Sequence, residues 1–166
     1  MPLATWSVGV GPVTLLVENH TTAHTLAGWL PPAGDIGEVI FSAGSQLPQV
    51  LASLPEDHAG PLAHFGDLDL RGVEIAADGH QRSLDLGLGP LLPAGGLYRL
   101  ILQVGKAKPT KSRRRVPAGP QVYGSLPTDL QEPVEQIIAA GSRIAQEAAS
   151  TDVLAGLDTS TFDPLS

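Results

Sequence analysis

Three carboxylates have the type and setting to do chemistry. Asp67 and Asp69 occur in His64-Phe65-Gly66-Asp67-Leu68-Asp69-Leu70-Arg71-Gly72, directly after the apolar residues Pro61-Leu62-Ala63. Successive side chains of a strand point to opposite faces, so residues two apart share a side. Two carboxylates held close repel each other and raise one pKa. A divalent cation removes that penalty, and hard cations prefer carboxylate oxygens. A loop with two solvated aspartates is the alternative. The third acid, Glu18, directly follows the apolar run Val13-Thr14-Leu15-Leu16-Val17. His20 and His24 lie just beyond it and are candidate ligands only if they are not simply exposed.

The elements that must position these acids can be read from periodicity. Residues 13–17 are β-branched and apolar and read as a buried strand. A helix over about 23–30 follows, with Thr21 or Thr22 as its cap and Pro31-Pro32 as its stop. Residues 38–41 read as a second strand. Leu47, Val50, Leu51 and Leu54 recur at helical spacing, and Pro48 suits a first turn. Residues 62–68 read as a third strand, followed by a helix over about 71–79. This alternation predicts an α/β, Rossmann-like fold: a mainly parallel sheet of about four strands flanked by helices. The carboxyl ends of parallel strands lie on one edge, where open α/β sheets bind ligands. Glu18, Asp67 and Asp69 are therefore expected on one rim.

The charge distribution is uneven. The chain has 166 residues and a formal net charge of −7. Residues 1–105 carry three basic side chains, Arg71, Arg82 and Arg99. Six more crowd into residues 106–115: Lys106, Lys108, Lys111, Arg113, Arg114 and Arg115. An acidic body with one basic segment suits an enzyme that gathers acids around a metal and meets a polyanion elsewhere. An ordinary solvated loop is the alternative. With 42% hydrophobic and 16% charged residues the chain is globular. It contains no cysteine, which excludes disulfides and thiolate metal sites and suits a cytoplasmic setting. No run of about 18 apolar residues is present to span a membrane, and Met1-Pro2-Leu3 lacks a basic signal-peptide start.

Val17-Glu18-Asn19 after one strand, Phe41-Ser42-Ala43-Gly44 after another, and Gly66-Asp67-Leu68-Asp69-Leu70-Arg71-Gly72 leading into a helix together resemble the Toprim superfamily. Within it they are most similar to the C-terminal Toprim domains of bacterial JetD-like proteins, the nuclease subunits of Wadjet anti-plasmid systems. The likeness covers roughly residues 13–80. Many Toprim proteins have glycine after the glutamate. Asn19 stands there in this chain, which favours the JetD-like branch. The resemblance implies that Glu18, Asp67 and Asp69 bind Mg²⁺ or Mn²⁺ and catalyse phosphodiester cleavage or nicking of DNA. It implies non-sequence-specific DNA as partner, with partner subunits or a larger N-terminal region. Lys106, Lys108, Lys111, Arg113, Arg114 and Arg115 would contact backbone phosphates. Glu18 is also a candidate general base. A non-catalytic Toprim-shaped interaction module and a receiver-like phosphoacceptor domain remain as rivals.

The remaining chain divides by composition. Residues 1–105 form the expected domain core. Residues 83–93 are expected to wind over its surface, and 97–102 to form a fourth strand. Residues 106–127 are a basic and Gly/Pro-rich connector. Residues 128–150 carry one last helix with Pro133 in its first turn and Gly141 at a close contact. Residues 151–166 are expected as a flexible tail.

Overall fold

The computed structural model describes residues 3–111 and 123–166. Its centre is a five-stranded sheet built from β1 (Thr5–Ser7), β2 (Val13–Val17), β3 (Ile36–Phe41), β4 (Leu62–Phe65) and β5 (Leu91–Pro93). The strand order is β1-β3-β2-β4-β5. β2, β3, β4 and β5 run parallel, and only the edge strand β1 is antiparallel, pairing Trp6 with Val39. The helices α1 (His20–Trp29), α2 (Leu47–Ala52), α3 (Leu70–Asp85) and α4 (Gly95–Val104) connect or follow these strands. This is the expected mainly parallel, Toprim-like and Rossmann-like α/β fold.

Alternation along the strands divides the core between the two faces. Leu15, Val17, Val39, Ala63 and Phe65 pack with Leu26 of α1 and with Leu97, Tyr98 and Ile101 of α4. Leu16, Ile40, Leu62 and Leu91 pack with Leu47, Val50 and Leu51 of α2. Full burial of each such leucine contributes roughly 1.5–3 kcal/mol. α3 lies beside α2, and its Gly79 leaves room for the Leu47 side chain.

Several elements differ from the sequence reading. Residues 97–102 are not a strand but the middle of α4, with Leu97, Leu100 and Ile101 buried at helical spacing. The fourth parallel strand is β5, in the stretch expected to wind over the surface. α3 does not stop at Gly79 but runs on to Asp85, into the start of that stretch. The cap of α1 is Asn19, whose side chain accepts the Thr22 N–H. The expected last helix is shorter: α5 spans Thr128–Ala139, and Pro133 lies inside it. Gly141 adopts φ +65, a left-handed turn that ends this helix.

Beyond Gly141 the chain makes β7 (Ser142–Arg143), which pairs antiparallel with β6 (Lys108–Pro109). A 3₁₀ turn (Gln146–Ala148) and α6 (Thr151–Ala155) follow. The segment 151–166, expected to be flexible, docks on the domain. The Leu165 and Pro164 carbonyls accept from the Gly95 and Leu97 amides, and Phe162 packs edge-on against Trp29. Arg99 of α4 holds Asp129 of α5 with two 2.7 Å hydrogen bonds.

Candidate active site at the carboxyl edge of the sheet

β2 and β4 are neighbours in register, with Val17 opposite Phe65. The Glu18 N–H continues the ladder by donating to the Phe65 carbonyl at 3.2 Å. The two acid-bearing loops therefore leave the sheet side by side, one carrying Glu18 and the other Gly66 and Asp67. Glu18 leans across Gly66 so closely that a methyl group at that glycine would lie 2.5 Å from the Glu18 carboxyl carbon. No larger residue at position 66 fits this placement.

The Glu18 side chain is 10% exposed, and its Oε1 lies 3.3 Å from Nε2 of the buried His64. The two atoms are close but not aligned for a hydrogen bond, and among the described residues neither has a hydrogen-bond partner. On its far side the His64 ring approaches the Tyr98 hydroxyl, with Nδ1 at 3.5 Å. The same hydroxyl accepts the Gly66 N–H at 3.0 Å. Burial, followed by the negative charge of Glu18 and then of Asp67, pushes the Tyr98 hydroxyl well above its ordinary pKa. Tyr98 is thus a neutral hydroxyl that fixes the backbone between the two acids.

Asp67 is held by the C-terminal part of the chain. Its Oδ1 accepts the Gln146 backbone N–H at 2.9 Å and lies 3.5 Å from the Gln146 side-chain amide. Gln146 is itself buried, and its Oε1 accepts the Asn19 N–H at 3.2 Å. Asn19 in turn donates its side-chain amide to Glu147 at 2.8 Å. Next to Asp67, the Leu68 backbone exchanges two hydrogen bonds with Ile144, of 2.9 and 3.1 Å. Residues 144–147 therefore brace both acid loops at once. The other oxygen of Asp67, Oδ2, lies 4.0 Å from the Arg143 guanidinium.

Asp69 has a different use. Its Oδ1 accepts the Gly72 N–H at 2.7 Å and caps α3, a bond of the kind that contributes typically about 1 kcal/mol. Glu18 and Asp67 are brought to adjacent strand ends, whereas Asp69 is turned to its own helix. Among the described residues no three His, Cys, Asp or Glu side chains group closely enough to hold one ion. His20 and His24 pack edge-on against Trp6 instead of turning toward the acids.

Lys106, Lys108 and Lys111 are exposed. Lys108 belongs to the β6–β7 ribbon rather than to a loop. Arg113, Arg114 and Arg115 lie outside the described residues. His64, Tyr98, Arg143 and Gln146 were not singled out from sequence. A histidine inside the apolar run before Gly66 was the available signal for the first. Tyr98 lies in the stretch expected as a strand, and Arg143 and Gln146 in the stretch expected as the last helix. No helix among the described residues is long and apolar enough to cross a membrane.

Comparison with known proteins gives one match. Residues 11–156 match the family described as Wadjet protein JetD, C-terminal. No curated protein and no solved structure matches at a significant level. The match covers β2 to α6, including Glu18, Asp67, Asp69 and the Gln146 brace. The chain belongs to the Wadjet JetD C-terminal family.

Proposed function

We propose that this chain is a divalent-metal-dependent phosphodiester-cleaving domain of Toprim type, which nicks or cuts DNA as part of a DNA-defence complex. The family match supports the setting. The observation that carries the chemistry is the placement of Glu18 and Asp67 on adjacent strand ends, with Glu18 Oε1 buried beside His64 Nε2 and without a hydrogen bond among the described residues. A buried acceptor without a partner costs free energy, and a cation beside it removes that cost. Mg²⁺ is held by one or two carboxylates, with water and substrate phosphates completing its shell. Glu18 and Asp67 fit that donor set, and Asp69 adds negative charge from the helix cap.

Glu18 and Asp67 would hold a divalent ion, which would supply polarisation of a phosphoryl oxygen and stabilisation of the leaving oxygen. The protein's part is to place its own groups. Gln146 fixes Asp67 by its Oδ1. Tyr98 holds the Gly66 amide. Gly66 gives Glu18 the space to reach the site. Glu18 is also the carboxylate that would take a proton from an attacking water.

The test is nicking of supercoiled plasmid with Mg²⁺ or Mn²⁺ by wild type, Glu18→Gln, Asp67→Asn and Asp69→Asn. Nicking should require the metal and fall by at least about 100-fold in the first two variants, the scale of losing a charge-stabilising group. Asparagine caps helices as well as aspartate, so Asp69→Asn isolates the charge from the cap. Nicking that persists in Glu18→Gln and Asp67→Asn would end this reading. The use of Asp69 as a cap is the feature that favours a non-catalytic interaction module, which predicts no metal-dependent nicking by any of the four.

A further inference from the structure

The β6–β7 ribbon places two cations side by side. Lys108 and Arg143 are directly opposite partners in its antiparallel register. Opposite residues of such a pair share one face, and like charges there are unfavourable. The same ribbon is tied to the acid loop, because Ile144, next to Arg143, bonds the Leu68 backbone through both its amide and its carbonyl. Arg143 thereby reaches to 4.0 Å from Asp67 Oδ2, with its side chain still 44% exposed. An exposed ion pair of that length stabilises little. Stability therefore does not account for Arg143 beside Asp67 with Lys108 set opposite it.

Anion binding does account for them. A guanidinium presents a planar fork of donors that matches the oxygens of a phosphate, and a lysine adds a mobile point charge. Over the whole chain the charge is unfavourable to a polyanion, at a formal −7. A phosphodiester that approaches Glu18 and Asp67 needs a positive counterpart fixed beside them. We propose that Arg143 and Lys108 form a phosphate clamp: Arg143 binds the non-bridging oxygens of the DNA phosphate at the Glu18–Asp67 site, and Lys108 neutralises its neighbour. This deepens the metal-dependent reading above and rests on it for the location of the substrate.

The experiment is a salt series of binding isotherms on a short fluorescent DNA duplex, with Ca²⁺ and separately with EDTA. The proteins are wild type, Arg143→Ala, Arg143→Lys and Lys108→Ala. Loss of one phosphate contact should reduce the slope of log K against log salt by about 0.9, and affinity by roughly eightfold near 0.1 M salt. Arg143→Lys should restore the slope, because the charge returns. Melting temperatures should stay level or rise, since removing either cation relieves the pair. Wild-type slope and affinity in both alanine variants, or no binding of the duplex by wild type, overturns the clamp. Plasmid nicking separates the two proposals. A reduced slope in Arg143→Ala from a wild type that does not nick supports the clamp and removes the nuclease. Metal-dependent nicking with unchanged slopes keeps the nuclease and removes the clamp.

Discussion

Gln146 donates its backbone N–H to Asp67 Oδ1 at 2.9 Å across 79 positions of sequence. Its side chain at the same time accepts the Asn19 N–H. One residue therefore sets the spacing of the loops that carry Glu18 and Asp67. Gln146→Ala retains the backbone bond to Asp67 but strands the Asn19 amide. Urea unfolding should show a loss of about 1–3 kcal/mol, the cost of a buried unsatisfied donor. The Mg²⁺ concentration for half-maximal nicking should rise, while the rate at saturating metal falls less. An unchanged metal dependence would show that Gln146 serves stability alone.

Gly66→Ala tests the packing of Glu18. The new methyl would sit 2.5 Å from the Glu18 carboxyl carbon, so the carboxylate must move. Overpacking of this kind costs typically about 1–3 kcal/mol. The expected result is a folded protein with a lowered melting temperature and nicking as weak as that of Glu18→Gln. Near-normal nicking would mean that Glu18 acts from another position.

Tyr98→Phe keeps the ring that packs against Phe65, whose centroid is 5.2 Å away, and removes only the hydroxyl. The Gly66 N–H then loses its acceptor, at a cost of about 1–3 kcal/mol. The variant also has a pH signature. Burial and the nearby acids raise the Tyr98 pKa in the folded state. The folded protein thus resists an ionisation that the unfolded chain undergoes near pH 10. Stability from this group is complete below about pH 10 and is lost as pH rises above it. Chemical unfolding from about pH 9 to 11 should show a steeper decline for wild type than for Tyr98→Phe. Parallel curves would contradict the assignment.

Metal binding should be visible without DNA. A ligand that binds only the folded state stabilises it by mass action, by about 2.7 kcal/mol at 100 times its dissociation constant. Mg²⁺ or Mn²⁺ should therefore raise the melting temperature of wild type. Asp67→Asn should show no gain. A gain of equal size in that variant would place the ion elsewhere.

Much of this architecture could be read from the chain, and the exceptions have physical causes. The runs 13–17, 38–41 and 62–68 are short, largely apolar and bounded by turn residues, and all three hold parallel strands, although the third ends at Phe65, before the aspartates. Residues 97–102 form a similar run, interrupted only by Arg99, but belong to a helix that is largely buried. Periodicity cannot separate that case from a buried strand. Gly79 resembles a helix end in sequence, yet it lies inside α3 to admit Leu47. The placement of Glu18 and Asp67 after neighbouring strands followed from the strand–helix order, whereas the shared face expected for Asp67 and Asp69 did not form, because the strand ends at Phe65. The cap at Asp69 could have been inferred from its place before α3, since aspartate is a preferred N-cap. Gln146 could not be inferred, because its role depends on a turn after Gly141 that returns the chain to the acids.

The brace around Gln146 also sets an order of assembly. Sheet strands β2 to β5 are complete by Pro93, and Glu18, Asp67 and Asp69 are all present by then. The residues that lock their loops, 144–147, are synthesised about fifty positions later. Synthesis runs from the N-terminal side, so the nascent chain contains its acids before it contains the residues that space them. A chain broken before residue 142 keeps Glu18, Asp67 and Asp69 and lacks both Gln146 and Arg143. The arrangement makes the acid edge a late-maturing feature, completed only when the two distant ends of the domain have met.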